Sequence, residues 1–123
     1  APRFGGMTLG MAYVEFDGRA DTLRLSRLGS ETFSDPTAVS ESGNIYQPCL
    51  ACDGKGAVWC VWSQMDEGRW NLLGRSVVDG RLSPGVVKIA ASKGNDLFPD
   101  LKTDRKGRVW ATCSRLKMVA ATS

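Results

Sequence analysis

The sequence predicts an all-β protein built from repeated four-stranded units, and a β-propeller is the leading architecture. Residues 43–63 (GNIYQPCLACDGKGAVWCVWS) align without a gap to residues 94–114 (GNDLFPDLKTDRKGRVWATCS). Ten of the 21 aligned pairs are identical, at an offset of 51 residues. The segments between turns are short and apolar, and 14 glycines lie along the chain. A period of about 50 residues made of short strands and Gly-rich turns is typical of propeller blades.

The 123 residues are predicted to form one domain, residues 1–123, that holds roughly 2.4 repeats. We divide it into a partial unit at residues 1–42, a complete unit at 43–93 and a partial unit at 94–123. A unit of this type cannot bury both of its faces alone, and about three are normally needed for stability. We therefore expect the chain to be completed either by a longer protein or by copies of itself.

The first unit supplies the second, third and fourth strands of a blade. MAYVEF (11–16) resembles WCVWSQ (59–64), and DTLRLSR (21–27) resembles RWNLLGR (69–75). The segment TAVSES (37–42) then takes the place of the fourth strand.

The central unit is predicted to hold four strands, at residues 49–52, 58–62, 70–78 and 86–91. The turn DGKG joins the first two strands, and a polar loop at residues 64–69 joins the second to the third. The run AVWCVW is continuously apolar instead of alternating, which predicts burial on both faces.

The last unit supplies the first two strands, and residues 116–123 are a candidate third strand. Repeated helices are disfavoured because the apolar positions follow no 3.6-residue period. A two-sheet sandwich is the architectural rival, since it also has short strands at regular spacing.

A motif, P-x-L-x-x-D-x-K-G-x-V-W, occurs in both the second and the third unit. Its aspartate is expected to accept backbone N–H bonds within the turn, its glycine to adopt a positive φ, and its tryptophan to fill space between blades. The residues concerned are Pro48, Asp53, Gly56, Trp59, Pro99, Asp104, Gly107 and Trp110. We assign them a structural role.

The pattern GND-x-x-P-x-x-x-x-D-x-x-G-x-V-W, with the strand RWNLLGR, resembles the blades of bacterial TolB-like β-propellers. The motif is also similar to the Asp-box of sialidases, although the glycine follows the aspartate by three residues here and not by two. The resemblance implies blades of four antiparallel strands and a periplasmic or secreted location. It implies no particular activity.

Several classes of function are disfavoured by composition. The chain has no histidine, so it contains no Ser-His-Asp or Cys-His site. Its net charge of +3 comes from scattered basic residues, which predicts neither nucleic-acid binding nor a membrane surface. Cys49 and Cys52 have metal-ligand spacing, but a strand would point them to opposite sides, so no metal and no cofactor are predicted.

We therefore predict a non-catalytic scaffold or binding module whose first partner is itself, with a homodimer favoured and a homotrimer as the alternative. Open strand edges and uncovered faces bearing Trp59, Trp62 and Trp110 motivate this, and the late strands of one copy would complete the first blade of another. A protein, peptide or glycan ligand is expected at the loop residues Asn44, Tyr46, Gln64, Asp66, Glu67, Asn95 and Asp96. The alternative is a fragment of an extracellular propeller hydrolase, resembling a glycosidase or a sialidase.

Overall fold

Ten β-strands form the described part of the chain in a computed structural model. The structure describes residues 9–28, 37–79, 81–92 and 94–116. Of these residues 69% lie in strands and none in a helix, which confirms the all-β prediction. The strands are β1 (Leu9–Phe16), β2 (Asp21–Leu28), β3 (Thr37–Ala38), β4 (Ile45–Cys52), β5 (Val58–Asp66), β6 (Arg69–Val78), β7 (Arg81–Leu82), β8 (Val87–Ala90), β9 (Asn95–Thr103) and β10 (Val109–Leu116). Most of the candidate strand at 116–123 lies outside the described residues.

The strands form three antiparallel sheets, and none of them closes on itself. Sheet I has the order β1-β2-β3, and sheet III is the hairpin of β9 and β10. Sheet II has the order β4-β5-β6, with both β7 and β8 paired to the far edge of β6. Each sheet draws its strands from one of the three sequence units, so the sequence order of the units is also the order of the sheets.

Two strand ends of the central unit differ by more than one residue from the sequence prediction. β4 begins at Ile45, four residues before the predicted start at residue 49. β5 continues to Asp66, so the predicted loop at 64–69 is only the two-residue turn Glu67–Gly68. Both turn residues have positive φ, at 50° and 80°, as two-residue hairpins require. The end of β5 was predicted as a loop because its residues are mostly polar, as loop residues are.

The turn after the first strand is the same in sheets II and III. Asp53 Oδ1 accepts the backbone N–H of Lys55 and of Ala57, both at 2.9 Å. Asp104 Oδ1 accepts the equivalent pair, from Lys106 at 2.9 Å and from Arg108 at 3.0 Å. The turn glycines have the predicted positive φ, 88° at Gly56 and 80° at Gly107. The aspartate and the glycine therefore have the roles that the motif indicated.

Sheets I and II share the main hydrophobic core. On one side lie Leu23, Leu25 and Val39, with Ala12 and Val14 packed beside them. On the other side, β5 contributes Cys60 and Trp62, both 0% exposed. Trp62 is thus fully buried, and the expectation that it would be uncovered without a partner is wrong, because sheet I already covers this face.

Sheet III covers the opposite face of β5. Trp59 and Val61 face Leu101, Val109 and Ala111 across an apolar cleft of about 310 Å³. Alternate residues of β5 therefore contact different sheets, which is the period that a strand imposes. The predicted burial of β5 on both faces is confirmed for its central residues.

The faces of β1 correct the alignment of the first unit. Ala12 and Val14 face the following sheet, sheet II, as Val61 and Ser63 of β5 face sheet III. The equivalence that respects these faces pairs residue 12 with 61 and residue 14 with 63. MAYVEF therefore corresponds to residues 60–65 and not to residues 59–64. A one-residue shift reverses the faces of a strand, and this unit lacks the repeated motif that would have set the register.

The turns of sheets II and III approach each other closely. Gly54 N donates to Gly107 O at 2.8 Å, and Thr103 Oγ1 donates to Cys52 O at 2.6 Å. A Cβ on Gly107 would lie 2.5 Å from Gly54 Cα, which is backbone and cannot rotate away. A Cβ on Gly56 would meet nothing within 4 Å. Gly107 is therefore needed both for its φ and for the contact between sheets.

Replacing these two glycines by alanine should separate the two requirements. Gly56→Ala strains only a positive φ and should lower the free energy of unfolding by about 1–2 kcal/mol. Gly107→Ala also forces sheets II and III apart and should cost a further ~1–3 kcal/mol. Urea unfolding of both variants, at one protein concentration, measures the difference. Equal losses would show that the Gly54–Gly107 contact does not matter to stability.

Candidate functional site

The seven predicted ligand residues lie at one end of sheets II and III. Met65 N donates to Asn44 O at 3.0 Å, which brings the start of β4 beside the end of β5. Trp70 N donates to Asn95 Oδ1 at 3.0 Å, which brings the start of β9 beside the start of β6. The common end therefore carries Asn44, Tyr46, Gln64, Asp66, Glu67, Asn95 and Asp96.

Three of these side chains are engaged in the fold. The Asn95 carbonyl oxygen accepts the Trp70 N–H, as described above. Gln64 Oε1 accepts the indole N–H of the buried Trp62 at 2.9 Å. Asp96 is 0% exposed, so its side chain is inaccessible to a ligand in this structure. Asn95 and Asp96 link different strands, whereas Gln64 bonds within β5, and the exposed members of the set are left as contact candidates.

Asp96 forms a partly exposed ion pair across sheet III. Its Oδ1 accepts from Arg115 Nε at 2.7 Å and from Ser92 Oγ at 3.4 Å. The hydrogen bond to Asp96, together with the charge of Asp96, raises the pKa of Arg115 above its ordinary value. Among the described residues Asp96 Oδ2 has no partner. The aligned position in sheet II is Ile45, so the third unit places a charge where the second places core.

An aromatic cluster, consisting of Tyr46, Trp70 and Phe98, lies at the same end. The ring of Tyr46 is 6.2 Å from that of Trp70 and 6.1 Å from that of Phe98, centroid to centroid. Tyr46 and Phe98 are each 45% exposed. Only Tyr46 had been identified from the sequence.

Phe98 reaches the cluster from a backbone conformation that the sequence did not signal. It has a φ of 57°, and the aligned Gln47 has a φ of 47°; each precedes a proline of the motif. Neither residue is paired with a residue of the neighbouring strand, and the register of the strand pairing shifts beside each of them. The cluster thus depends on an irregularity that the two units share.

The carboxylates of Asp66 and Glu67 line a polar cleft of about 420 Å³. Arg69 and Lys88 line it as well, so both signs of charge are present. Asn71, Ala91 and Ser92 complete the lining. Mixed charge suits a polar or zwitterionic ligand better than a strongly charged one.

The outer face of sheet III carries a fixed and exposed tryptophan. Trp110 is 58% exposed, and its indole N–H donates to Asp104 Oδ2 at 2.9 Å. The guanidinium of Arg108 lies 5.7 Å from the ring centroid and donates to the same carboxylate oxygen at 2.7 Å. The aligned Trp59 of sheet II is half-buried against sheet III. Trp110 therefore occupies the position of a residue that the next sheet would cover.

The four thiols are free, and burial makes Cys60 and Cys49 poor nucleophiles. Burial raises the pKa of Cys60 to about 12 and that of Cys49 to about 11. Burial also raises the pKa of Cys52 and of Cys113. Cys49 pairs with Val61 and Cys52 with Val58, on opposite faces of sheet II. In the described parts of the chain, no three His, Cys, Asp or Glu side chains are grouped as metal ligands.

Comparison of the chain with protein-family models, curated proteins and solved structures found no match. The described residues include no helix long and apolar enough to cross a membrane. The function must therefore be argued from the geometry of the sheets.

Thiol reactivity near neutral pH should follow exposure. We expect Cys113, which is exposed, to react first with a maleimide, and Cys60 to react only when the protein unfolds. Mass spectrometry of peptides after timed labelling measures the order. Rapid labelling of Cys60 in the folded protein would contradict the packing of sheets I and II.

Acid stability should depend on Asp104. The hydrogen bond from Trp110, followed by that from the backbone of Arg108, lowers the pKa of Asp104 below its ordinary 3.8. Such a carboxylate stabilises the fold fully above that ordinary value, and the contribution is lost as the pH falls below it. Asp104→Asn should therefore reduce the decline in unfolding free energy between pH ~5 and pH ~2.

The control for this experiment is Trp110→Phe, which keeps the carboxyl group but removes the hydrogen bond that lowers its pKa most. It should reduce the pH dependence in part, by less than Asp104→Asn. Urea unfolding across the acid range measures both variants. An unchanged pH profile in Asp104→Asn would show that this turn does not contribute to acid sensitivity.

Proposed function

We propose that the protein is a non-catalytic, propeller-like scaffold that associates with copies of itself and presents a binding site at one end of its sheets. One observation carries the proposal: Trp59 is half-buried against the next sheet, whereas the aligned Trp110 is exposed. The sheets are treated as successive blades, the second complete and the first and third partial. The exposed face of sheet III is then an unfinished contact between blades.

The way the sheets stack supports this interpretation. β5 packs one face on sheet I and the other on sheet III, and the same relation between faces recurs at both contacts. The paired turns at Gly54 and Gly107 hold sheets II and III close together. A series of this kind leaves one uncovered face at each end, and closure by further copies would cover both.

Ligand binding is proposed at the end that carries the aromatic cluster and the polar cleft. Exposed aromatic rings beside groups of both charges suit a peptide or a glycan, which offer apolar faces together with hydrogen-bonding edges. Four of the predicted residues remain exposed there: Asn44, Tyr46, Asp66 and Glu67. The hydrolase alternative would need two carboxyl groups on opposite sides of such a cleft, whereas Asp66 and Glu67 are neighbours in sequence.

Molecular mass in solution tests the proposal. Light scattering at low micromolar concentration should give twice the chain mass of 13.3 kDa, with three times that mass as the alternative. The mass should fall on dilution as copies separate. A cooperative monomer that persists at high concentration would contradict self-association.

A further inference from the structure

We propose that self-association is head to tail: the outer face of sheet III in one copy packs on the outer face of sheet I in another. This inference rests on the proposed function and specifies which surfaces meet. The partner is a second copy of this chain, and neither face is proposed to pair with itself.

The outer face of sheet III is defined by Trp110 and Thr112 of β10 and by the residues opposite them on β9. Lys102 pairs with Trp110, and Asp100 pairs with Thr112. All four are exposed. Val109 and Ala111 alternate with them and face sheet II. The outer face therefore presents a large ring between one basic and one acidic side chain.

The outer face of sheet I is defined by Met11, Tyr13 and Glu15 of β1 together with Arg24 of β2. Ala12 and Val14 pack towards sheet II, so the alternate residues point away from it. Met11 is 43% exposed, and Glu15 and Arg24 form an ion pair at 3.1 Å. This face also combines apolar surface with one charge of each sign. Each acidic or basic side chain on one face can therefore pair with a side chain of opposite charge on the other face.

The equivalence of faces identifies this surface as the one that accepts a preceding sheet. With the corrected register, Met11 corresponds to Cys60 and Tyr13 to Trp62. Cys60 and Trp62 are the residues of β5 that the preceding sheet buries. Sheet III ends the chain's series and has no following sheet in the described residues. The outer face of sheet I in a second copy is the surface that would continue the series.

Packing of faces explains the geometry better than exchange of strands. β1 and β10 are both equivalents of the second strand, β5, in their own sheets. If both copies kept the strand direction of successive sheets, joining the free edges of β1 and β10 would place two second strands side by side and parallel, whereas every pairing in the described sheets is antiparallel. The earlier idea that late strands of one copy complete the first blade of another is therefore replaced by stacking.

Mixing two blocked variants tests the proposal. Met11→Glu adds a charge to the outer face of sheet I, and Trp110→Glu adds one to the outer face of sheet III. Each variant alone should be a monomer of 13.3 kDa, because each lacks one of the two faces. An equimolar mixture should form a heterodimer of twice that mass, but at a higher protein concentration than the unmodified chain requires, since it retains one of the two contacts of the closed dimer.

Phe16→Glu is the matched control, because Phe16 is 65% exposed on β1 but does not lie on either outer face. It should associate like the unmodified chain. Thr112→Arg provides a second block of sheet III that leaves the Trp110–Asp104 hydrogen bond intact, in case Trp110→Glu does not fold. Circular dichroism verifies the fold of each variant.

Every other outcome overturns the inference in a recognisable way. If Met11→Glu still forms a homodimer while Trp110→Glu is a monomer, sheet III pairs with itself. If the reverse holds, sheet I pairs with itself. If both variants associate like the unmodified chain, neither face is the contact. An unmodified chain that never associates would refute the proposed function itself.

Discussion

The structure depends on the burial of both faces of β5. Cys60 and Trp62 face sheet I, whereas Trp59 and Val61 face sheet III, so one strand joins three sheets into a series. A side chain fully buried in this way contributes about 1.5–3 kcal/mol through the hydrophobic effect. No described strand of sheet I or sheet III is in the same position. Those outer sheets are held mainly from one side, and the chain's stability is concentrated around sheet II.

Close approach of the sheets requires a backbone without side chains at the contact. Gly54 and Gly107 meet there, and Thr103 donates across the same junction to Cys52. The aligned positions explain why the repeat is not perfect. Gly54 aligns with Arg105, which is exposed. The third unit therefore has the turn of the motif but lacks the glycine that, in sheet II, contacts the turn of the next sheet. Arg105 would have to move if another sheet packed there as sheet III packs on sheet II.

The features that could be predicted from the sequence are those of the repeated motif, and the features that were missed lie outside it. The motif gave the positive φ of Gly56 and Gly107 and the double burial of β5, because turn chemistry and a continuous apolar run are local signals. The first unit has no motif, and its register was wrong by one residue. The positive φ of Phe98 was not predicted because phenylalanine is not among the residue types, such as Asn and Asp, that favour this region. The aromatic cluster was therefore identified only through Tyr46.

The energetics of Trp110 would favour the proposed closed assembly over an assembly with a single contact. A tryptophan that is 58% exposed offers on the order of 100 Å² of apolar surface, so covering it contributes on the order of 3 kcal/mol. Association costs about 4–15 kcal/mol in lost translational and rotational freedom, so one covered ring is not sufficient. Two copies closed head to tail would form two such contacts while losing that freedom once. The second contact would then be effectively intramolecular, and the proposed assembly would be stable although each face alone is weak.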